Sequence, residues 1–363
     1  MIKVGKQVCM LTTSPFNARN GEGSFIKLKD GRIMYAYSNY LSSEWEDHGA
    51  SQISAIYSND NGETWTSPVS LWGGVDNGTT NNMCVSLLRK QNGDLAIFYL
   101  QKYLTKDGLT KTCIASRIST NEGATWQDYK VVIDQNAYYV KENDRLVRLS
   151  SGRLILPLNY HGQDSENIVS GVARFFYSDD DGETFTLSPS KLTIGGPAGI
   201  QETGVMERED CIWSFSRTAY NCQYESFSYD NGQTWSDITP NYTLTSPLSP
   251  MFAKNFGNGY SIVVLNPIPT SFAFPNGVGG NEDAKTKTWA RTPLVLGISK
   301  DGNKTFINKF YIEDDLTNGY CYTAIFDGGD YLLLAYYHSN NGPCPLTSCK
   351  ITKITFKELG IEE

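Results

Sequence analysis

The sequence is poor in histidine and contains no long hydrophobic run. Only three of its 363 residues are histidine, and its eight cysteines form no C-x-x-C pair, so we predict no metal site. No stretch approaches the ~18 consecutive apolar residues of a membrane-spanning helix. The N-terminal stretch MIKVGKQVCM lacks the apolar centre of a signal peptide. We therefore expect a cytoplasmic protein without a membrane span, or a secreted or periplasmic one if a signal peptide has been removed.

Basic residues are also in deficit. Lys and Arg number 31 against 39 Asp and Glu, which gives a net charge of −8. Proteins that bind the phosphate backbone of nucleic acids need a basic face, so nucleic acid is not expected as a partner, although a local basic pocket is compatible with this charge. We also expect no cofactor. The composition, with 40% hydrophobic and 19% charged residues, is that of a folded chain with a large core.

A short motif recurs along the chain with the pattern S-x-D-x-G-x-T-W/F. Clear copies begin at Ser58, Ser178 and Ser228, and degenerate copies begin at Ser119 and Ser299. Asp and Gly favour tight turns, while the Ser and Thr hydroxyls close local hydrogen bonds. The aromatic residue is expected to pack each turn onto a sheet. We interpret these boxes as structural turns and assign none of their residues to a functional site.

A second repeat has the pattern of a β-hairpin, in which two apolar strands flank a polar or Gly-containing turn. Its six copies are centred on Gly31, Gly93, Gly152, Asp210, Gly259 and Gly329. They recur about every 60 residues, a length sufficient for four strands in each copy. The spacing predicts an all-β fold, a single six-bladed β-propeller domain over residues 1–363. An insertion rich in Gly, Pro and Asn, Asn266–Ala290, interrupts the fifth copy.

The Asp boxes and the sixfold hairpin, with several polar residues around them, resemble the sialidase (neuraminidase) superfamily of bacterial type, which carries BNR repeats. The resemblance covers nearly the whole chain. It implies an exo-glycosidase that removes terminal sialic acid from glycoconjugates by a retaining mechanism. The implied partner is a sialylated or other acidic glycan. The resemblance also implies that the site lies near the propeller axis and away from the boxes on the rim.

The strand ends near this predicted axis are rich in polar residues. The first strands of the six hairpins begin near Glu22, Asn82, Asp144 with Arg145, Glu202, Ser249 and Tyr322. The returning strands end near Lys102, His161, Arg217, Asn266 and His338. Core packing does not require so many polar groups at equivalent positions, so we expect them to surround a site.

The resemblance assigns roles in the fourth and last hairpins. The segment QETGVMEREDCIWSFSR matches a family pattern with a Glu at the start of the fourth inner strand and an Arg at the end of its return strand. Glu202 would then activate the nucleophile, and Arg217 would bind the substrate carboxylate. The segment GYCYTAI offers Tyr322 as the nucleophile, with Tyr320 as the near alternative.

Two further roles follow from the same resemblance. The segment WARTPLVLGIS offers Arg291 as a second ligand of the carboxylate. The general acid of the family lies in the loop before the first box, where EDHGASQISAIYS offers Asp47, eleven residues before Ser58, with Glu46 as its alternative.

One family motif is missing from this sequence. Sialidases open with an Arg-Ile-Pro motif whose Arg is the first of three that hold the carboxylate, and here the corresponding stretch is ARNGEGSFIKL. Arg19 lies two residues earlier than strict alignment requires, and Glu22 stands close to the position. Either Arg19 reaches the site from its loop, or Arg145 substitutes from the third hairpin, or the pocket accepts another acidic sugar.

The residue types suit the implied chemistry. A planar guanidinium binds a carboxylate through two hydrogen bonds. The substrate carboxylate would repel a carboxylate nucleophile, so a Tyr activated by a neighbouring Glu replaces it, and a separate acid protonates the leaving oxygen. Two alternatives stay open: a glycosidase for a ulosonic or uronic acid on the same fold, and a noncatalytic glycan-binding propeller. The oligomeric state is not predicted.

Overall fold

The fold is built from strands. The structure, a computed structural model, describes residues 1–196, 198–256, 259–269, 291–300, 305–306, 308–339 and 346–361. Within these ranges the chain forms 24 strands and no helix, which confirms the all-β prediction, and no helix there could cross a membrane. Positions 270–290, which make up most of the predicted insertion, lie outside the described residues, and so do positions 301–304 of the last box.

Strand bounds follow the predicted hairpins. In chain order the strands are β1 Lys6–Leu11, β2 Asn20–Lys27, β3 Ile33–Tyr40, β4 Ser51–Ser58, β5 Val69–Ser70, β6 Asn81–Arg89, β7 Leu95–Leu104, β8 Thr110–Ser119, β9 Lys130–Val140, β10 Val147–Arg148, β11 Leu154–Gly162, β12 Ile168–Ser178, β13 Thr186–Leu192, β14 Gln201–Glu207, β15 Ile212–Arg217, β16 Cys222–Ser228, β17 Thr239–Thr245, β18 Phe252–Asn255, β19 Ser261–Leu265, β20 Leu294–Ser299, β21 Asn308–Glu313, β22 Tyr320–Asp327, β23 Tyr331–Ser339 and β24 Leu346–Thr355.

Each predicted hairpin forms an antiparallel strand pair. We number the six resulting units: unit 1 is β2–β5, unit 2 β6–β9, unit 3 β10–β13, unit 4 β14–β17, unit 5 β18–β21, and unit 6 β22–β24 with β1. Units 1, 4, 5 and 6 are four-stranded sheets, and β1 pairs with β24 in unit 6. Units 2 and 3 share one eight-stranded sheet, because β9 pairs with both β8 and β11. The N-terminal strand therefore completes the last unit.

The four boxes that lie wholly within the described residues form tight turns that pack against the preceding unit. In the first box, Ser58 Oγ accepts a hydrogen bond from the Gly62 amide at 2.8 Å, and Thr64 Oγ1 donates to Asp60 Oδ2 at 2.6 Å. Gly62 has a φ of 84°, and a Cβ there would lie 2.6 Å from the Leu333 side chain of unit 6. Only glycine combines this backbone with so close an approach. The box of unit 1 is thus seated on unit 6.

The hydrophobic core lies between neighbouring units. One cluster joins Phe25 and Tyr35 of unit 1 to Leu333 and Ile351 of unit 6. The first strands are also neighbours around the molecule, since β2 contacts both β6 and β22, and β18 contacts both β14 and β22. Burial of each such side chain contributes roughly 1.5–3 kcal/mol. The first and last units therefore pack together as adjacent ones do.

The first strands share an unusual backbone feature at their starts. Five residues other than glycine adopt a left-handed φ between 48° and 60° at these positions: Glu22, Cys84, Asp144, Glu202 and Tyr322. In β2, β6, β14 and β22 the pairing register shifts at the same point. Such bulges redirect side chains and cluster at functional sites. In unit 2 the equivalent residue is Cys84, two positions after the predicted Asn82.

Candidate active site

A cavity of about 420 Å³ opens at the strand starts. Side chains from several units converge on it although they are far apart in the sequence. It is lined by Arg19, Trp45, Glu46, Asp47, Val140, His161, Gln201, Glu202, Arg217, Arg291, Tyr322, Tyr337 and Leu346. Six of the seven predicted site residues therefore share one cavity.

Tyr322 and Glu202 meet in this cavity. Tyr322 Oη donates a hydrogen bond to Glu202 Oε1 at 2.8 Å, across 120 positions of sequence. Arg217 Nη1 donates to the same Glu202 oxygen and lies 3.3 Å from Tyr322 Oη. The other carboxylate oxygen, Oε2, is buried without a hydrogen-bond partner among the described residues. Each bulge turns its side chain into the cavity, so the two residues can form a phenol–carboxylate pair.

The charges around this pair keep the proton on the phenol before a substrate binds. Burial opposes ionisation of Glu202, but the positive charges of Arg217 and Arg291 outweigh it and hold the pKa of Glu202 below its usual value. Burial and the charge of Glu202 raise the pKa of Tyr322 well above its usual value. The resting state is therefore a neutral phenol hydrogen-bonded to an ionised base.

Arg291 completes one wall of the cavity. It lies just before β20, is 3% exposed, and places its guanidinium 5.2 Å from the centre of the Tyr322 ring. Its Nη1 donates at 3.1 Å to Sγ of Cys321, the residue that precedes Tyr322. Arg217, at the end of β15, is 7% exposed. Two buried guanidinium groups thus flank the phenol, where they can receive an anionic substrate group.

Arg19 reaches the same cavity despite the missing Arg-Ile-Pro motif. Its Nε donates to Tyr337 Oη at 2.7 Å, its Nη1 donates to Asp47 Oδ1 at 2.5 Å, and its Nη2 pairs with Glu22. The guanidinium also lies 5.0 Å from the ring centres of Tyr40 and Tyr337. Of the three alternatives given for this position, the one in which Arg19 reaches the site from its loop agrees with its place in the cavity lining.

Asp47 sits on the loop between β3 and β4, with 64% of its side chain exposed at the cavity. Desolvation opposes its ionisation, but Arg19 and Lys102 together hold its pKa well below the usual range. Lys102 also donates from Nζ to the Asp47 carbonyl. In this state Asp47 is a carboxylate, so it can act as an acid only after its pair with Arg19 has weakened.

Arg145 is placed differently from its prediction as a substrate ligand. It does not line the cavity, and its Nη2 donates instead to the backbone carbonyls of Glu202, at 3.2 Å, and Met251, at 2.8 Å. Asp144, one residue earlier, takes the left-handed position equivalent to Glu202. That offset by one residue places Arg145 behind the cavity wall.

Several lining residues were not assigned a role from the sequence. One of them is Tyr337, which precedes the predicted His338 by one position and accepts a hydrogen bond from Arg19. Tyr320, the alternative nucleophile, does not line this cavity, and its hydroxyl donates to the Asp315 carbonyl at 3.1 Å. His161 was predicted to lie at the axis, and burial lowers its pKa to about 4, so its imidazole is neutral at neutral pH. Strand alternation at the end of β23 is the signal that could have indicated Tyr337.

One buried group has ligand atoms close enough for a metal ion. Glu22, Cys84 and Glu142 each offer an atom within 4.8 Å of the others. Arg19 already pairs with Glu22, and Lys141 Nζ donates to the carbonyls of Cys84 and Glu142. These two cations supply the positive charge that a metal would otherwise bring, so the residues do not favour a metal ion there.

Comparison with known proteins shows the family to which the chain belongs. A profile of the BNR repeat-like domain matches residues 46–334. The chain belongs to this family and to the sialidase superfamily.

Individual relatives carry sialidase names. The anhydrosialidase of Macrobdella decora is 28% identical over an alignment 253 residues long, which covers 62% of this chain and 30% of that protein, so the chain spans less than a third of its length. The intramolecular trans-sialidase from Ruminococcus gnavus has a TM-score of 0.70 at 13% identity and covers 99% of both chains. Trypanosoma rangeli sialidase, solved with 2,3-difluorosialic acid as a covalent intermediate, has a TM-score of 0.72 at 13% identity, over 98% of this chain and 60% of that chain. These structural likenesses show the fold.

Proposed function

We propose that the protein is a retaining exo-glycosidase of sialidase type that releases a terminal sialic acid from glycoconjugates. The observation that carries this proposal is the hydrogen bond from Tyr322 Oη to Glu202 Oε1 between two buried arginines. A protein that only binds glycans does not need a phenol hydrogen-bonded to a buried carboxylate base between two arginines. The sialidase names of the relatives support the same class of enzyme.

We further propose that the six units form a six-bladed propeller with its axis at this cavity. The contacts of β2 with both β6 and β22, and the seating of the first box on Leu333 of unit 6, support a closed ring. In such a ring the starts of the first strands converge. Convergence explains how Glu202 and Tyr322 meet although they belong to units 4 and 6.

The proposed reaction starts with capture of the substrate carboxylate by Arg217, Arg291 and Arg19. Fork-like hydrogen bonds from guanidinium groups to a carboxylate fix the sugar and neutralise its charge. Tyr322 Oη then attacks the anomeric carbon while Glu202 takes its proton, and the bond to the leaving oxygen breaks. Tyrosine suits this step because a carboxylate nucleophile would be repelled by the substrate.

The same capture would activate Asp47 as the acid. Its carboxylate is ionised while Arg19 Nη1 holds it at 2.5 Å. A substrate carboxylate that competes for Arg19 weakens this pair, and the loss of a neighbouring positive charge raises the pKa of Asp47. Asp47 can then take up a proton and deliver it to the leaving oxygen.

The fate of the sugar on Tyr322 separates two sialidase types. A hydrolase transfers it to water. The M. decora relative is named an anhydrosialidase and the R. gnavus relative an intramolecular trans-sialidase, so the alternative considered for this chain is transfer to a hydroxyl of the same sugar, which yields an anhydro sugar. In water labelled with ¹⁸O, hydrolysis places one labelled oxygen on the anomeric carbon of the released sugar. Intramolecular transfer releases an unlabelled product that is lighter by one water molecule. We propose hydrolysis, and mass spectrometry of the product decides.

A second candidate substrate rests on the pair between Arg19 and Glu22. Because a buried carboxylate already occupies Arg19 Nη2, the clamp has less capacity for a substrate carboxylate than three free arginines would have. Other acidic sugars, of ulosonic or uronic type, are therefore tested beside the sialoside. Hydrolysis of a fluorogenic sialoside well above that of matched ulosonides and uronides would support sialidase activity. Turnover of only another acidic sugar would move the proposal to that sugar, and binding without turnover of any would contradict it.

A further inference from the structure

A buried segment crosses the region behind the cavity. Residues Lys141–Arg145, which we call the axial segment, connect β9 to β10 and read KENDR. All except Asp144 are at most 4% exposed, although four of the five side chains are charged groups. Charges are rarely buried so completely unless each has a specific partner.

The axial segment bonds to units 1 and 2 on one side. Asn143 Nδ2 donates to the Gly23 carbonyl at 2.9 Å, and Asp144 Oδ1 accepts from Ser24 Oγ at 2.7 Å. Lys141 Nζ donates to the carbonyl of Cys84 and, at 3.0 Å, to Ser86 Oγ. All four of these bonds involve a main-chain carbonyl or a serine in the first strand of a unit.

Its other end bonds to units 4, 5 and 6. Arg145 Nη2 donates to the carbonyls of Glu202, at 3.2 Å, and of Met251, the residue before β18 of unit 5, at 2.8 Å. Asp144 Oδ2 accepts from the Ile325 amide of unit 6 at 3.3 Å. Five consecutive residues therefore contact every one of the other five units. Their partners lie up to 181 positions away in the sequence, so the segment connects parts of the chain that are distant in sequence.

The partners coincide with the left-handed strand starts. Cys84 and Glu202 are themselves such residues, and Gly23 follows Glu22 directly. A left-handed φ in a residue other than glycine costs of order 1–3 kcal/mol and persists only where surrounding contacts determine it. The axial segment supplies such contacts.

Arg145 fits its place closely. Its guanidinium lies 4.1 Å from the ring centre of Phe252 and 5.2 Å from that of Phe215. A Cβ at Gly204 would lie 2.5 Å from Arg145 Nη1, so the glycine two residues after Glu202 leaves room for the guanidinium. Lysine keeps the charge but lacks the planar group that fills this space.

We propose that Arg145 is a positioning residue of the reaction: by holding the Glu202 carbonyl, it keeps the Glu202 carboxylate in hydrogen-bond contact with Tyr322 Oη. The inference rests on the proposed function for the roles of Glu202 and Tyr322. Arg145 itself does not touch the cavity, so it acts only through the backbone of Glu202.

The first test reads the Tyr322 environment without requiring turnover. The protein is labelled with 3-fluorotyrosine, and the Tyr322 signal in the ¹⁹F NMR spectrum is assigned by its loss in Tyr322→Phe. Arg145→Lys is expected to shift this signal, because the hydrogen bond to Glu202 loosens. Arg148→Lys is the matched control: Arg148 Nη2 donates to the Arg89 carbonyl of unit 2 at 3.3 Å, away from the cavity, so the signal should stay in place.

The second test uses kinetics. In Arg145→Lys, kcat should fall by up to about 100-fold, as expected for a small misplacement of a reacting group, while KM changes little because Arg19, Arg217 and Arg291 are intact. The acid limb of the kcat–pH profile should also move, because the base has lost its fixed contact with the phenol. A purely structural role would lower the melting temperature and leave kcat and the pH profile of the folded fraction unchanged.

A second variant covers the case in which Arg145→Lys does not fold. Phe252→Leu removes the ring beneath the guanidinium and should shift the Tyr322 signal in the same direction by a smaller amount. An unshifted signal in the folded variants, with an unchanged kcat, would overturn the positioning role even if the wild type is a sialidase. Absence of wild-type turnover would instead contradict the proposed function, and the ¹⁹F signal would still decide the role of Arg145.

Discussion

The boxes, at the rim of the proposed propeller, and the cavity, at its proposed axis, are built in opposite ways. In the box at Ser58 the hydrogen bonds join residues two to four positions apart, and the same bonds recur in the boxes at Ser178 and Ser228. In the cavity the Arg19–Tyr337 bond spans 318 positions, and the Tyr322–Glu202 bond spans 120. Repeated local bonds stabilise the scaffold, whereas single long-range bonds create the chemistry.

The two regions also use left-handed backbone differently. At the rim it falls mainly on residues that tolerate it, such as Asn61, Gly62 and Asn231, and in one box on Glu122. At the axis it falls on Glu202 and Tyr322, for which it is unfavourable. Strain of this kind occurs at Glu122 in one box, whereas at the axis it recurs at the starts of the first strands, where it turns Glu202 and Tyr322 into the cavity.

The largest expected effect tests the axis alone. Tyr322→Phe removes the attacking oxygen but keeps the ring, so kcat should fall by several orders of magnitude while the melting temperature stays the same. Tyr320→Phe is the matched control, because its hydroxyl contacts only the Asp315 carbonyl among the described groups. Loss of activity in Tyr320→Phe with retention in Tyr322→Phe would exchange their roles.

The next effect depends on the substrate. Asp47→Asn should slow substrates with a sugar leaving group by about 10²–10⁴-fold, the usual contribution of a general acid. An aryl leaving group departs without protonation, so its first step should be nearly unaffected. Measuring kcat/KM on both substrate types gives the comparison. Equal losses would point to Glu46, which also lines the cavity.

A substitution at the rim should lower stability and leave the catalytic site unchanged. Trp235 is 8% exposed and stacks on Phe175 with ring centres 3.9 Å apart. Trp235→Ala should lower the free energy of unfolding by about 3–5 kcal/mol, with the pH profile of the remaining activity unchanged. Trp65→Ala, at a half-buried position, should cost less. Chemical denaturation measures both, and abolished activity at normal stability would contradict the distinction between rim and axis.

A smaller effect sharpens the view of the clamp. Arg217→Lys and Arg291→Lys retain the charge but lose the fork, and charge-assisted hydrogen bonds are worth about 1.5–3 kcal/mol. KM should therefore rise by roughly 10- to 150-fold. Arg153→Lys serves as the control, because Arg153 makes its two-pronged bond with Asp179 on the rim. Unchanged KM and kcat in both cavity variants would remove the carboxylate clamp.

The contrast explains what could be predicted from the sequence. The boxes and hairpins depend on turn residues within a few positions, so their patterns are visible in the sequence. Glu202 and Tyr322 could be paired because equivalent strand starts are expected to converge. Arg145 was predicted to contact the substrate, but it lies behind the cavity wall. An offset of one residue at a bulge decides which side chain enters the cavity.

Other features had no local signal. The cavity contact of Arg19 depends on Tyr337 and Asp47, which only the folded chain brings to it. The left-handed position of unit 2 falls on Cys84 and not on Asn82, since a register shift within β6 cannot be counted from the turn. The contacts of the axial segment likewise arise only when all six units are assembled.

The most direct test of the proposed axial site is covalent trapping. The wild-type protein is incubated with a fluorinated sialic acid analogue that slows breakdown of the intermediate, then digested and examined by mass spectrometry. We predict a sugar adduct on the peptide that contains Tyr322, lost in Tyr322→Phe and kept in Tyr320→Phe. An adduct on Glu202 or on Tyr320 would contradict the assignment of Tyr322 as the nucleophile.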